Sequence, residues 1–312
     1  MWFAAALLWA MQPDPAALVP LYEQALAQRE RELGPHHVKL ARIARDFALF
    51  HLKHGRQAAA IPLLRKALAI DERHYGPANR IAAEDMEHLA ALLAGDEALA
   101  LRARAAQCDD AAVAARNLAA LAEWELSRRN PAAALARYRE ALAKEQQASG
   151  DAHPRYAVRL NDVALLLDPP AAEPLLRRAL AIQESALGPQ HPEVAVTLNN
   201  LANILLALGR LPDALPLARR ALSALEHSLG AVHPRVATAA SNLADILAAA
   251  KDYSAARALY ERALRIDEKA LGPNHPEIAV DLENLAALHD TIGNKAQAAK
   301  LRARAASLKP AN

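Results

Sequence analysis

Apolar residues in this chain recur as pairs at long intervals rather than in strand-like alternation. A large residue followed by alanine stands at Phe47-Ala48, Leu89-Ala90, Leu121-Ala122, Val163-Ala164, Leu201-Ala202, Leu243-Ala244 and Leu285-Ala286. The steps between them are 42, 32, 42, 38, 42 and 42 residues. An Ala-Leu pair forms a second column at Ala25-Leu26, Ala67-Leu68, Ala141-Leu142, Ala179-Leu180, Ala221-Leu222 and Ala263-Leu264. Two ladders on one period predict two helices per unit, with neighbouring units stacked so that each buries a face the other exposes. Alanine lets adjacent helices approach toward the near end of the usual ~8–10 Å spacing, and the large residue beside it fills the remaining gap.

The punctuation fits the same units. The strings LGPQHPEVAVTLNNLA (187–202), LGAVHPRVATAASNLA (229–244) and LGPNHPEIAVDLENLA (271–286) repeat closely, and 33–48 and 75–90 hold weaker copies. Gly55, Gly209 and Gly293 fall where a first helix must turn into its partner, the left-handed position that follows a helix end. Gly34, Gly76, Gly188 and Gly272, each followed by Pro, end second helices. His-Pro pairs at 153–154, 191–192, 233–234 and 275–276 then open the next first helix, where Pro is tolerated.

Composition narrows the class. Hydrophobic residues make up 53% of the 312 but aromatic ones only 4%, and there are 10 glycines, so an all-β fold rich in Val, Thr and turn glycine is excluded. Charged residues at 23% beside that apolar content argue against disorder. The 37 basic and 35 acidic residues split so evenly that each half of the chain carries +1, without the basic face a nucleic-acid binder needs. Cys108 is the only cysteine; it sits beside Asp109 and Asp110 and is expected to be structural.

The segments AVTLNNLANILLALGRLPDALPLARRAL (195–222) and ATAASNLADILAAAKDYSAARALYERAL (237–264) resemble the tetratricopeptide repeat. The 42-residue length and the LGPxHP linker are most similar to the repeats of kinesin light chains. The resemblance runs from about residue 14 to 308. It implies an all-α, right-handed α-solenoid of stacked helix-turn-helix repeats. It also implies a concave groove lined by first helices, with extended or helical segments of other proteins as ligands. Residues 13–312 are expected to form a single solenoid of about seven helix pairs, with a leading helix near 15–32 and a polar capping helix at the C-terminus. The unit between Leu89 and Leu121 is short, that at 153–187 loses four residues around LLLDPPAAEP, and Lys251 stands where neighbouring units have glycine.

Residues 1–12 permit two readings. They resemble the apolar core of a signal peptide that lacks its usual leading cations, and they are too few to span a bilayer. They also align as a truncated first helix, with Ala6 in register with Ala244. Leu7 and Leu8 make the segment apolar all round, which tips the reading toward a signal and an exported or periplasmic protein over a cytoplasmic one.

No HExxH, GxSxG, P-loop, GxGxxG or paired CxxC is present, so no catalytic residue, cofactor or metal site is expected. His153, His191, His233 and His275 are one repeat apart, on the order of 10 Å. That is too far to share an ion at ~2.0–2.1 Å, so they are expected to cap or pack. Polar side chains on the first helices are the candidate peptide-groove residues: Asn161, Asn199, Asn200, Asn203, Ser241, Asn242, Asp245, Glu283, Asn284 and Asp290, with Arg42 and Arg45 toward the N-terminus. Asparagine is a poor helix former, but its amide both donates to and accepts from a peptide backbone. The column Asn200, Asn242 and Asn284 is expected to set repeat geometry; for Asn199 and Asn203 structural and ligand roles both stay open. A groove ligand is expected to carry cationic or neutral groups near Asp245, Glu283 and Asp290, and acidic ones near Arg42 and Arg45. The sequence therefore predicts a non-catalytic protein-interaction scaffold that binds a peptide or helix of another protein, with no nucleic acid and no membrane span. The alternatives are a regulatory module of a multi-protein complex, a homodimer formed through Leu18, Leu21 and Leu26 of the leading helix, and an RNA-binding helical repeat.

Overall fold

A computed structural model describes residues 15–308 of the chain; the two readings of residues 1–12 lie outside them. Among the described residues there are fifteen α-helices and no strand. Helix α1 (Pro15–Leu33) leads seven hairpins, each a first helix followed by a second. They are α2 (Val38–Lys53) with α3 (Gln57–Tyr75), α4 (Arg80–Leu92) with α5 (Gly95–Ala105), and α6 (Ala111–Ser127) with α7 (Pro131–Ser149). Next come α8 (Pro154–Ala164) with α9 (Pro169–Leu187), α10 (Pro192–Ala207) with α11 (Leu211–Leu229), α12 (Pro234–Ala249) with α13 (Tyr253–Leu271), and α14 (Ile278–Thr291) with α15 (Lys295–Leu308). The chain divides into two compact units between Ala148 and Ser149. Each has its own core, one around Leu64, Met86, Leu89 and Leu101, the other around Leu176, Leu201, Leu205 and Ile246.

The alanine columns are where helices meet. Ala48, Ala122, Ala164, Ala202, Ala244 and Ala286 are completely buried, as are Ala67, Ala141, Ala179, Ala221 and Ala263 in the second helices. A larger side chain at these positions would meet backbone or a close-packed neighbour, which costs about 1–3 kcal/mol in a well-filled core.

The linkers work as helix caps. In His37, His153, His191, His233 and His275 the imidazole Nδ1 accepts the backbone N–H two residues on, at 3.1–3.3 Å. At His37, His153, His191 and His233 this takes up a donor that the first turn of a helix leaves without a partner, and at His275 it closes the loop just before α14. The recurring histidine is a capping residue, and its regular spacing is the spacing of helix starts.

A second regularity runs along the second helices. A glutamate four residues before the linker glycine pairs with a cation on the next second helix: Glu30 with Lys66, Glu72 with Arg104, Glu184 with Arg220, Glu226 with Arg262 and Glu268 with Arg304. These pairs are half-exposed, so each contributes at most about 1 kcal/mol. Their role is to keep successive hairpins in register more than to supply stability.

Most hairpin turns carry a left-handed residue, although the α8–α9 turn has none. Gly55, Gly209 and Gly293 adopt φ of 71°, 73° and 82°, and the N–H of the following residue closes back onto the carbonyl five residues earlier. Lys251 occupies the same place with φ 67°, and Asp252 N–H bonds the Leu247 carbonyl at 2.9 Å as in the glycine turns. An L-residue is strained there and glycine is not. Replacing Lys251 by Gly should therefore stabilise the C-terminal unit by about 0.5–1 kcal/mol despite the greater freedom of the unfolded chain. Denaturant titration of the two proteins checks this; a Lys251→Gly variant less stable than wild type would contradict it.

Candidate functional site

At four junctions between successive hairpins, one in the N-terminal unit and three in the C-terminal unit, three side chains converge. One comes from a first helix, two residues before its large-alanine pair. Another comes from the second helix, four residues after its column alanine. The last comes from the following first helix, four residues before its own pair. Helical geometry puts the third position one turn from the core pair on the face that packs, so the sequence period alone assigns it to the apolar interior.

At the α2–α3–α4 junction the three are Arg45, Asp71 and Asp85. The Arg45 guanidinium is bidentate to Asp85, with Nε at 2.5 Å and Nη2 at 2.9 Å, and Nη2 also donates to Asp71. Both carboxylates are fully buried. Hydrogen bonding to Asp85 keeps Arg45 protonated more firmly than an ordinary guanidinium. Burial raises the Asp71 pKa and Arg45 opposes that rise.

At α8–α9–α10 the same positions hold Asn161, Gln183 and Thr197, all buried. Asn161 Nδ2 donates to Thr197 Oγ1 at 2.8 Å and to the Ala157 carbonyl at 3.2 Å, and Thr197 Oγ1 donates to Gln183 Oε1 at 2.5 Å. Asn200 Nδ2 reaches Asn161 Oδ1 at 3.2 Å, which closes a neutral network. At α10–α11–α12 the positions are Asn199, Leu225 and Ala239. The two apolar residues offer no polar atom, and Asn199 Oδ1 is buried with no hydrogen-bond partner.

At α12–α13–α14 they are Ser241, Asp267 and Asp281. The two carboxyls lie within hydrogen-bonding reach of each other. Burial first, and then the Asp267 charge, push the Asp281 pKa up to about 7; burial raises that of Asp267 as well. A cleft of about 370 Å³ opens over this pair, lined also by Asn242, Asn284, Glu277 and Val280. Clefts of about 330 Å³ and 270 Å³ lie over the Arg45 and Asn161 junctions respectively.

Stacked hairpins of this length and cap chemistry are matched by known sequences. The pattern described as tetratricopeptide repeat matches residues 3–73, 168–227 and 235–311, and a second pattern of that description matches 199–270. The chain belongs to the tetratricopeptide repeat family. Its solved neighbours agree with this fold. A Podosopora anserina protein of the kinesin light chain type, made of nearly identical TPR-like repeats, is 21% identical with a TM-score of 0.51 over 62% of this chain and 93% of its own. BtubC (BKLC) from P. vanneervenii is 24% identical with a TM-score of 0.53 over 78% and 90%. A Rap protein complexed with Competence and Sporulation Factor is 13% identical with a TM-score of 0.55 over 94% and 76%. No curated protein matches the chain.

Within this tetratricopeptide fold the side chains expected at a groove divide into three groups. Asn161, Asn199 and Arg45 are junction residues turned inward, and the first and last are fully engaged by neighbouring helices. Asp245 accepts a hydrogen bond from Tyr260 inside its own hairpin, so it does not present an open carboxylate. Asp290 pairs with Arg302 of α15 at 2.5 Å, and Glu283 lies 3.7 Å from the same arginine. A cationic ligand group near these three acids would therefore have to displace an internal partner. The others stay on or near the first-helix face. Asn200, Ser241, Asn242 and Asn284 line the clefts, Asn284 reaches Ser241 Oγ at 3.5 Å, and Asn203 is partly exposed. Arg42 is largely exposed, 4.0 Å from Asp46. In α1, Leu26 packs on the N-terminal core while Leu21 is exposed.

The residues that sequence reasoning missed are Asp71, Asp85, Gln183, Thr197, Asp267 and Asp281. Their signal was a polar residue at a position the period marks as core, four places after the column alanine of a second helix or four before the large-alanine pair of a first helix. Cys108 is buried and its thiol donates to the Asp110 carbonyl, with burial raising its pKa. Among the described residues no group of His, Cys, Asp and Glu is arranged to hold a metal ion, and no helix is long and apolar enough to cross a membrane.

The two inward asparagines should behave differently when truncated. Asn161→Ala takes a donor from Thr197 and an acceptor from Asn200 and should cost about 1–3 kcal/mol, whereas Asn199→Ala removes an already unsatisfied oxygen and should stay within about 1 kcal/mol of wild type. Equal losses in denaturant unfolding would contradict this. The acidic junction predicts a pH dependence of a definite sign. The folded state holds a proton on Asp281 up to about pH 7, while the unfolded chain releases it near ~4. Stability from this group is therefore lost as pH rises from about 4 through 7. Asp281→Asn should match wild type near pH 4 and exceed it at pH 8 by an amount on the order of 1–3 kcal/mol. Unfolding curves at the two pH values decide it.

Proposed function

We propose that this chain is a non-catalytic interaction scaffold that takes a peptide or helical segment of another protein on its first-helix face. The observation that carries this reading is the row of clefts at hairpin junctions. Each is open to solvent, and beside the side chains engaged in the junction its rim carries partly exposed ones. In the C-terminal unit Asn242 and Asn284 offer amides at the rim, and Val196 and Val280 stand exposed beside them although nothing in the packing of α10 or α14 calls for an apolar surface there. Amides spaced along a helix face suit a peptide backbone, and isolated exposed valines suit the side chains such a segment would lay down. The Rap protein, of the same fold, was solved as a complex with Competence and Sporulation Factor, which is consistent with a binding rather than a chemical role.

Residues on the open face, not the buried Asn199, are the ones to alter. Affinity capture from the native organism with wild type and with a Val196→Glu, Asn242→Ala, Val280→Glu variant should show a co-purifying protein that the variant loses. The helical melts of the two should coincide, since none of the three side chains is buried. A partner retained in full by the folded variant would place binding elsewhere and overturn the reading.

A further inference from the structure

The α2–α3–α4 and α12–α13–α14 junctions are copies of one another at an offset of 196 residues: Arg45 corresponds to Ser241, Asp71 to Asp267 and Asp85 to Asp281. The clefts above them correspond as well, with Val38, Arg42, Asp46, Tyr75 and Ile81 lining one where Pro234, Thr238, Asn242, Leu271 and Glu277 line the other. Both copies keep the two acids. Only the first keeps a cation: Arg45 forks onto Asp85 and reaches Asp71. In the second, serine stops short of the carboxyls, and among the described residues neither Asp267 nor Asp281 pairs with a Lys or Arg.

We propose that the α12–α13–α14 cleft is a docking site for an arginine side chain of a partner protein, whose guanidinium would occupy against Asp267 and Asp281 the place that Arg45 occupies against Asp71 and Asp85. This rests on the scaffold reading above and names the chemistry of its ligand. Several observations support it beyond the acids themselves. The internal copy is a guanidinium site already built from the same backbone positions. Asp281 is nine-tenths buried in the cleft wall, so an incoming cation meets a carboxyl that water serves poorly. On the rim of the second cleft Thr238 replaces Arg42 and Glu277 replaces Ile81, while the counterpart of Lys39, Arg235, lines the neighbouring Asn161 cleft instead. Arginine is favoured over lysine because the two acceptors come from different helices, and a planar fork with five donors can satisfy both while a point charge cannot orient to each. A side chain within a polypeptide is favoured over free arginine because Asn242 and Asn284 stand at the mouth to meet a peptide backbone, whereas a free α-carboxylate would face Glu277.

The test uses blocked tripeptides, Ac-Ala-Arg-Ala-NH2 and its citrulline and lysine counterparts, titrated into the full chain while the side-chain amide signals of Asn242 and Asn284 are followed by NMR. The arginine peptide should shift these signals with an apparent Kd at least tenfold below that of the citrulline peptide, and below that of the lysine peptide. Asp267→Asn with Asp281→Asn should abolish the difference. Equal response to arginine and citrulline, an undiminished response in the double variant, or no response in wild type would overturn the proposal, and lysine binding as well as arginine would overturn the guanidinium assignment. As a second arm, Ser241→Arg should supply the cation from within the chain, raise the midpoint of thermal unfolding by about 2 °C or more, and remove the tripeptide response. A Ser241→Arg variant that folds yet still binds the peptide as wild type does would count against the site. The titration needs no native partner, so failure to capture one would sink the scaffold reading alone, and failure of the titration would sink the cleft alone.

Discussion

A polar side chain that the repeat turns inward has to find its partner on the two helices that close over it. That constraint governs the four junctions where three such positions converge. The hairpins meet through alanine, so the helices sit close and leave little room for water. What stands at the three converging positions then decides whether the junction is satisfied. Arg45 with Asp71 and Asp85 satisfies it with charge, and Asn161 with Thr197 and Gln183 satisfies it with neutral hydrogen bonds. Asn199 against Leu225 and Ala239 leaves one oxygen without a partner. Asp267 with Asp281 leaves two acids that can share a proton but lack a counter-charge. In a dry interior the first two arrangements hold helices in register, and the last two carry a standing cost.

The contrast explains how one fold can be uniform in shape and uneven in chemistry. Caps, turns and alanine columns recur almost unchanged, because each answers a demand of backbone geometry that is the same in every unit. The junction positions vary, because packing there asks only that size and hydrogen bonding be met. Clefts form above three junctions alike, but their floors are cationic and acidic, amide-lined, or purely acidic. Within each unit the chemistry at a junction can therefore change without any change in backbone.

Much of the chain was legible in advance. The seven large-alanine pairs located the first helices, the glycines located the turns, and Lys251 marked an irregular turn that proves to carry the same left-handed geometry. The histidines were recognisable as linker residues, although only the structure shows Nδ1 accepting the backbone N–H two residues on. The candidate face was less legible. Asn200, Asn242 and Asn284 do lie along it, but Asn161, Asn199 and Arg45 stand two residues before the core pair and turn inward, because the helix on that side is covered by the next hairpin. Asp245 and Asp290 were read as free acids, yet Tyr260 and Arg302 hold them, and neither partner is near in sequence.

The sequence by itself determined the class of fold, the number and order of helices along most of the chain, and the places where each begins and turns. Those depend on local rules: a period of 3.6 residues, a cap within two residues, a glycine where φ must be positive. The tertiary structure alone decided which polar groups are consumed and which are offered. The partner of Asp71 lies 26 residues away and that of Asp85 lies 40, and the empty counterpart of Arg45 at Ser241 becomes visible only once three helices have closed around it. No local pattern reports whether a buried carboxyl has met its cation, because the answer is written in the distance between elements and not in the order of residues.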